Sequence, residues 1–366
     1  MNSDLDRRAL LGVVGIAGVA ALAARRAEAG PLTPPEGPVT GTGKQLIEVE
    51  PRTAINPVNT PGDGNSIYRI TQPGSYYLTA NLVVPQGTIG IKVTASNVTI
   101  DMEGFAILIA SNATSAVAGI AAVGTLSGIT IRNGRFSGAF QFAAINMLDG
   151  GTGNNLLVEG VTIVGTGAPP SGSGIYASNN YVIRGCVIST LGGWGIYGER
   201  GALIESCIIR GCQTGLGPGQ SGVISRCTID GNSYGTNIGA GCAITDCVVT
   251  NNLIDGIFAN EGCLIARNLC RGNGAGGDGA GIHLFGTDNR VEDNVCIGAD
   301  RGIDVDAAGN VIVRNVCSGN GNNWDIVANN IYGPIIDRAA PGSPAVTGNA
   351  AASALGTTDP NANFTY

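Results

Sequence analysis

One histidine and two aspartates near the C-terminal end of the chain have the side chains that acid–base catalysis uses. His283 is the only histidine in the sequence. If the short apolar runs that carry His283 and Asp304 pair as neighbouring strands, their Cα atoms lie about 5 Å apart. A carboxylate at that distance raises the imidazole pKa and orients the ring. We therefore predict His283, Asp304 and Asp306 as catalytic residues, with Asp304 orienting the imidazole and Asp306 serving as a second carboxylate or part of a cation site.

Aromatic and polar side chains recur just after Gly-Ile pairs, as in Gly195-Ile196-Tyr197 and Gly256-Ile257-Phe258. In a strand the Ile would face inward, and the residues one and three positions later would face outward. Two such rows contain the candidate substrate-binding residues, which are Tyr176, Tyr197, Glu199, Asn237, Phe258, Asn260 and Phe285. Sugar rings stack on aromatic faces, and their hydroxyl groups bond to carboxylates and amides. The rows favour carbohydrate binding, although an ordinary solvent-exposed face would also contain such residues.

The elements that must position these residues repeat about every twenty residues. The apolar anchors are Ile100, Ile131, Val158, Ile183, Ile204, Ile224, Ile244, Ile265, Val291 and Ile312. A second buried position follows five residues later, at Phe105, Phe136, Ile163, Ile188, Ile209, Ile229, Val249, Cys270, Cys296 and Cys317. A period of this length is typical of a solenoid, in which each repeat buries its apolar side against its neighbours. The fixed Leu and Asn spacing of leucine-rich repeats is absent, so the pattern predicts an all-β parallel β-helix of about ten coils.

Four segments are predicted along the chain. Residues 1–29 read as an export signal, with Arg7-Arg8 before an apolar run and Ala27-Glu28-Ala29 as a cleavage site. The arginine pair is like a twin-arginine signal, but Asp6 precedes it, so the Sec route stays open; the run is too short for a stable membrane anchor. A Pro- and Gly-rich lead-in follows at 30–66, then the coils with an N-terminal cap at 67–338. Residues 339–366 form an irregular C-terminal tail, folded back by Phe364 and Tyr366.

Nine of the ten cysteines fall on three repeat positions. Cys186, Cys207, Cys227 and Cys247 share one position, Cys270, Cys296 and Cys317 a second, and Cys242 and Cys263 a third. Buried thiol ladders are the first interpretation, because Cys behaves as a small buried hydrophobe. Disulfides within a ladder are the alternative. Asn268, Asn294 and Asn315 occupy the first cysteine position in later coils, which predicts an asparagine stack at a tight corner.

The charge balance limits the partners of the chain. The sequence has 20 Lys and Arg against 27 Asp and Glu, for a net charge of −7. An acidic chain without a basic run is not expected to bind nucleic acid or an anionic membrane surface. We expect a polysaccharide partner, export machinery acting on the signal, and a periplasmic, cell-surface or extracellular location.

The stretch from Ile67 to Arg338 resembles the right-handed parallel β-helix family of pectate-lyase type. The resemblance rests on Tyr68-x-Ile70, Pro73-Gly74-x-Tyr76-x-Leu78 and Ser96-Asn97-Val98-Thr99-Ile100-Asp101, which are similar to the start of exported bacterial members. It implies a right-handed coil. The family includes polysaccharide lyases, glycoside hydrolases, uronate epimerases and phage tailspikes, so the resemblance is specific for fold and unspecific for reaction.

Several motifs of the family's enzymes are missing. Pectate lyases hold calcium with several Asp residues and use an Arg base, whereas here only Asp304 and Asp306 are grouped, with Asp300 nearby, and no matching Arg motif occurs. The Asp-Asp and Gly-His-Gly motifs of polygalacturonases and the Asp-Pro-His segment of the epimerases are absent. No metal-binding residues and no firm cofactor are predicted, and calcium is the one cation that the resemblance admits.

Two functional hypotheses follow from the residues. The first is an exported carbohydrate-active protein that binds or acts on extracellular polysaccharide along one β-face, as a lyase, hydrolase or epimerase. The second is a non-catalytic surface, structural or adhesive β-helix module. An enzyme needs His283 and Asp304 in a walled, concave site, whereas a module needs only a flat face.

Overall fold

The computed structural model describes residues 50–110, 116–148, 154–167, 172–274, 277, 279–337 and 358–365. The predicted export signal lies outside these residues, as do positions 30–49 of the lead-in and 338–357 at the C-terminal end. Within the described ranges, the regular secondary structure is β-strand. No helix there is long and apolar enough to cross a membrane.

The strands form three parallel ladders, and each coil contributes to all three in turn. The first ladder contains Thr53–Ile55, Gly74–Leu78, Val98–Asp101, Ser127–Ser137, Asn154–Val164, Val182–Arg184, Leu203–Glu205, Val223–Ser225, Ala243–Thr245, Leu264–Ala266, Arg290–Glu292, Val311–Val313 and Ile331–Tyr332. The second contains Leu82–Val84, Ala106–Ile109, the ends of Ser127–Ser137 and Asn154–Val164, then Val187–Tyr197, Ile208–Gly219, Thr228–Asp230, Val248–Thr250, Leu269–Arg271, Val295–Ile297, Val316–Ser318, Asn363–Thr365 and Ile335–Asp337.

The third ladder is the one that carries the candidate site. It contains Ser66–Ile70, Ile89–Val93, Ala116–Ala122, Phe140–Asn146, Ser173–Tyr176, the ends of Val187–Tyr197 and Ile208–Gly219, then Tyr234–Ile238, Ile257–Ala259, Ala280–Leu284, Arg301–Val305 and Asn322–Ile326. A short antiparallel strand, Pro61–Asp63, pairs with its first member. The coil makes about eleven turns, which confirms the predicted all-β right-handed parallel β-helix.

The core is a stack of inward-facing aliphatic side chains. All ten predicted anchors from Ile100 to Ile312 are fully buried. The second buried position is also confirmed, except at its first member: Phe136 pairs with Ile107, and Phe105 is only partly buried. The prediction for Phe105 was wrong because the turn before this strand is two residues longer than in later coils.

Glycine opens the third-ladder strands for a steric reason. A Cβ placed on Gly195, Gly235 or Gly281 would lie 2.3–2.7 Å from the carbonyl oxygen of the equivalent glycine one coil later. Any other residue would force the coils apart at this place. The Gly-Ile pattern in the sequence therefore marks where the backbones of successive coils approach most closely.

Asparagine stacks hold the corners between ladders. Asn294 accepts the backbone N–H of Asn268 at 2.9 Å, and its amide donates to the Ile265 carbonyl at 2.8 Å. Cys227 occupies the equivalent corner and directs its thiol at the Ile204 carbonyl, at 3.8 Å. The predicted asparagine stack is confirmed, and two similar stacks were not predicted: Asn232, Asn252 and Asn273, and Asn289, Asn310 and Asn330.

Strands occur beyond the predicted limits of the coils at both ends. Thr53–Ile55 pairs with Gly74–Leu78 before the predicted start. Near the C-terminus, Asn363–Thr365 pairs with Val316–Ser318, and Asn363 continues the asparagine stack by accepting the N–H of Asn315 at 2.9 Å. Phe364 thus lies in a strand that adds to the last coil.

Candidate functional site

One outward-facing row on the third ladder contains six of the ten predicted site residues. Its members are Tyr176, Tyr197, Gly217, Asn237, Phe258, His283, Asp304 and Asp325. We call it the central row. The expected pairing of His283 with Asp304 is confirmed by the register.

His283 is fixed at both ring nitrogens by carboxylates. Nδ1 lies 3.2 Å from Asp255 Oδ2, and Nε2 lies 3.1 Å from Asp306 Oδ2. Asp255 is itself held, because its Oδ1 accepts the N–H of Ala280 at 2.9 Å. The expectation that Asp304 orients the ring was wrong, since the hydrogen bonds that set its orientation come from Asp255 and Asp306.

These contacts determine the protonation state of the imidazole. Burial by itself would lower the pKa of His283, but the hydrogen bonds to Asp255 and Asp306 outweigh it and raise the pKa to about 9. The charges of Asp255 and Asp304 act in the same direction. The ring is therefore an imidazolium at neutral pH and can give up a proton there.

Asp304 is the buried carboxylate of the site. Arg301 Nη1 lies 3.3 Å from its Oδ2, and Arg301 Nε lies 3.1 Å from Asp325 Oδ2. Burial raises the pKa of Asp304, while the charges of His283 and Arg301 oppose the rise. Together with Asp306, these side chains line a cleft of about 250 Å³. Asp306 is the open member, with 52% of its side chain exposed.

An aromatic pair lies directly beside the cleft. The rings of Phe258 and Phe285 are stacked with centroids 5.7 Å apart and planes 26° apart. Phe258 also meets the His283 ring edge to face at 5.0 Å. Because Phe285 is 60% exposed, its outer face is open to a flat ligand.

A second aromatic group lies further along the central row. Tyr176 and Tyr197 make an edge contact at 5.7 Å, and Trp194 packs against Tyr197 at 5.2 Å. Three coils separate Tyr197 from Phe258, so the two groups are roughly 14 Å apart. The structure thus divides the predicted aromatic row into two groups.

The other three predicted binding residues differ in what they can offer. Glu199 and Asn237 are exposed on this face. Asn260 is half-buried, and its side-chain amide donates to the Ile238 carbonyl at 2.9 Å. This hydrogen bond joins two neighbouring coils, so the Asn260 amide has a structural role. Asn260 and Phe285 also line a neighbouring cleft of about 460 Å³ that includes Glu261 and Gln220.

Residues that the sequence analysis did not assign to the site share one position in the repeat. Trp194, Asp255 and Arg301 each stand immediately before the glycine of a Gly-Ile pair. The register places Ala280 beside Arg301 in the same row. The residue type immediately before each Gly-Ile pair could therefore have identified these side chains from the sequence. Asp325 was missed because its strand lacks the Gly-Ile pair.

The loop before His283 is anchored close to the cleft. Asp300 Oδ2 accepts the N–H of Gly277 at 2.6 Å. Asp300 is thereby committed to the loop. Positions 275, 276 and 278 of this loop lie outside the described residues.

The donor atoms of the cleft match calcium poorly. His283, Asp304 and Asp306 each offer one atom within 4.8 Å of the others. Calcium takes six to eight oxygen ligands, whereas one of these three donors is an imidazole nitrogen.

Comparisons with known proteins agree with this architecture. Residues 118–268 match the family model described as "Right handed beta helix region". The sequence matches none of the curated proteins. Three solved structures are similar to the chain, each at 13% identity. The periplasmic alginate epimerase AlgG has a TM-score of 0.50 and the match covers 75% of this chain and 78% of that one, and the A-module of the Azotobacter vinelandii mannuronan C-5 epimerase AlgE4 has a TM-score of 0.50 with 71% and 90% covered. The Dettilon tailspike protein has a TM-score of 0.43, and the match covers 73% of this chain and 59% of that one.

At this level of identity the two epimerase structures show a shared fold and no more. The chain spans only 59% of the tailspike's length. The matched region and the coils on either side of it form the same three ladders without interruption. The chain therefore has the right-handed parallel β-helix fold.

Proposed function

We propose that this protein is exported and binds an extracellular polysaccharide along the central row, where it acts as a carbohydrate-active enzyme at His283, Asp304 and Asp306. The observation that carries the proposal is the position of His283. Its ring is held between two carboxylates and touches Phe258, whose stacked partner Phe285 is exposed beside the cleft. Proton-transfer groups and a surface for a sugar ring thus lie side by side.

The roles follow from charge and exposure. His283 is protonated at neutral pH, so it acts as the general acid and gives its proton to a sugar oxygen. Asp306 is the exposed carboxylate and the candidate base or nucleophile. Asp255 is a positioning residue because it contacts the ring from the buried side. No step depends on a metal ion.

The aromatic groups would act as separate subsites. Phe258 and Phe285 would hold the sugar next to the cleft, and Tyr176 and Tyr197 would hold the chain further along the row. The separation of roughly 14 Å is long enough for several sugar units between them. Two of the similar structures are an alginate epimerase and a mannuronan C-5 epimerase, which agrees with a polysaccharide ligand.

One observation favours the alternative of a non-catalytic binding module. Both nitrogens of His283 already have carboxylate partners, which is also the arrangement of a structural clamp. Such a module would bind glycan on the aromatic residues without using the histidine chemically.

The test incubates the protein with neutral and uronic-acid polysaccharides, with and without Ca²⁺, and follows reducing ends and unsaturated-uronate absorbance. The His283→Ala, Asp304→Ala double variant tests the site, and Asp246→Asn, which lies at a corner of the first ladder, is the control. Product formation that is lost in the double variant and kept in the control supports the enzyme. Glycan binding without any product, unaffected by the double variant, would leave the binding module.

A further inference from the structure

The charge of the cleft limits which polysaccharide the central row can take. Asp304, Asp306 and Asp325 face the cleft with Arg301 and His283, and Asp255 lies behind the ring. Four carboxylates thus surround one guanidinium and one imidazole. The cluster stays negative whether or not the imidazole carries a proton, so it repels an acidic ligand.

The positive groups of the cleft are already committed to the protein. Arg301 is within 3.3 Å of Asp304 and 3.1 Å of Asp325. His283 has a carboxylate at each nitrogen. A carboxylate on the sugar would therefore compete with Asp304, Asp325 or Asp306 for cations that these side chains already neutralise.

A neighbouring cleft adds a further negative charge beside the aromatic pair. The neighbouring cleft on the far side of Phe285 contains Glu261, and Glu199 is exposed beside the tyrosine group. The cation next to Glu199 is Arg200, which donates to the Gln220 side chain at 2.9 Å. Arg200 therefore offsets the charge of Glu199 at the tyrosine group, and the negative charge along the row is concentrated at the cleft and the phenylalanine pair.

The exposed aromatic pair provides an independent indication of the ligand. Phe258 and Phe285 present a flat ring face at the edge of the acidic cleft. An aromatic face attracts C–H surfaces and cations, and neighbouring carboxylates bind ammonium groups. Both features suit a sugar that is uncharged or carries an amino group.

We infer that the polysaccharide taken at the central row carries no acidic groups, and that an amino-sugar polymer binds more tightly than a neutral one. This inference rests on the proposed function and specifies the substrate class of the same site. It also means that acidic sugars would bind only weakly, through the aromatic residues alone.

The experiment measures binding by titration calorimetry with three oligosaccharides of equal length, built from glucosamine, N-acetylglucosamine or galacturonic acid. The pH is slightly acidic, so that the glucosamine amine is charged. The first two probes share a ring and differ in the charge of the amino group. We expect the glucosamine oligomer to bind about tenfold more tightly than the galacturonate oligomer, with the neutral one between them. Added salt should reduce the difference.

Variants locate the effect. Asp306→Asn and Asp325→Asn remove exposed or half-exposed charge and should bring the affinities for the three oligomers together, whereas Asp246→Asn should not. Circular dichroism checks that each variant is folded, and the salt dependence of the unaltered protein tests the same point without a substitution.

The outcomes separate the inference from the function on which it rests. Tighter binding of the galacturonate oligomer than of the glucosamine oligomer, with or without Ca²⁺, would overturn the inference and leave the proposed function standing. Binding of none of the three would contradict the proposed function, and the inference with it.

Discussion

Asp255 lies directly behind His283, with its Oδ2 3.2 Å from the ring Nδ1 and its Oδ1 2.9 Å from the N–H of Ala280. The carboxylate is 28 residues away in sequence and almost fully buried. The pair fixes the orientation and the charge of the only histidine in the chain.

Replacing Asp255 should change the titration of His283. In Asp255→Asn the buried charge is lost while the side-chain shape is kept, so the pKa of His283 should fall from about 9 to about 6.5 or lower. The pH dependence of the ring signals in NMR spectra measures this without ambiguity, because there is one histidine. The control Asp246→Asn should leave the value unchanged. An unaltered pKa in Asp255→Asn would show that Asp255 does not set the charge.

The same pKa makes stability depend on pH in a defined direction. The folded-state pKa of about 9 exceeds the unfolded value of about 6.5, so the stabilisation is complete below about pH 6.5 and is lost as the pH rises through about 9. Relative to His283→Gln, the protein should lose about 2 kcal/mol over this window, after allowance for solvent screening of the partly exposed ring. Denaturant unfolding of both proteins at several pH values measures the difference. If the stability advantage of the unaltered protein over His283→Gln grew with pH, the raised pKa of His283 would be contradicted.

Much of the fold could be predicted because one repeat determines the next. Ile183, Ile204 and Ile224 are equivalent positions, so their spacing predicts the register, and with it the neighbours of His283 and Phe258. The prediction failed at Phe105, where a turn changes length and counting no longer applies.

The site was less predictable because hydrogen bonds depend on side-chain direction as well as register. The register placed Asp304 beside His283, but Asp304 is turned towards Arg301. Asp255 and Asp306 reach the ring instead, the first from the preceding coil, just before the strand Ile257–Ala259. The repeat shows which residues share a face, and the packing of individual side chains decides which of them touch.

A buried asparagine of the stack should contribute more to the free energy of unfolding than an exposed asparagine does. Asn294→Ala removes the acceptor for the buried N–H of Asn268 and the donor to the Ile265 carbonyl, so it should cost about 2–4 kcal/mol. The exposed Asn237→Ala should cost less than about 0.5 kcal/mol. Thermal unfolding followed by circular dichroism compares the two variants. Equal midpoints would show that the stack contributes little.

The cysteines should remain reduced and unreactive in the native protein. All ten are free and buried. Burial raises the pKa of Cys212 to about 12 and that of Cys263 to about 11, which keeps these thiols protonated and poorly nucleophilic. A thiol reagent should label almost none of them in the native state and all ten after unfolding without reductant. Fewer than ten labelled thiols would reveal disulfides within the ladders.

Phe285 should matter for binding and not for folding. Because its side chain is 60% exposed, Phe285→Ala should change the free energy of unfolding by less than about 0.5 kcal/mol. It should weaken glycan binding about tenfold by removing the outer face of the aromatic pair. Tyr332, which is 53% exposed at the C-terminal end of the first ladder, provides the control variant Tyr332→Ala. Similar affinities for both variants would remove Phe285 from the binding surface.

The most direct test of the central row as a glycan site uses the histidine itself as the reporter. NMR spectra of the His283 ring are recorded while a glucosamine oligosaccharide is added, and a second titration uses Phe285→Ala. If the central row binds glycan, the His283 signals should shift saturably in the unaltered protein, and the variant should bind more weakly. Glycan binding by calorimetry with no change in the His283 signals would place the binding surface elsewhere and contradict the account.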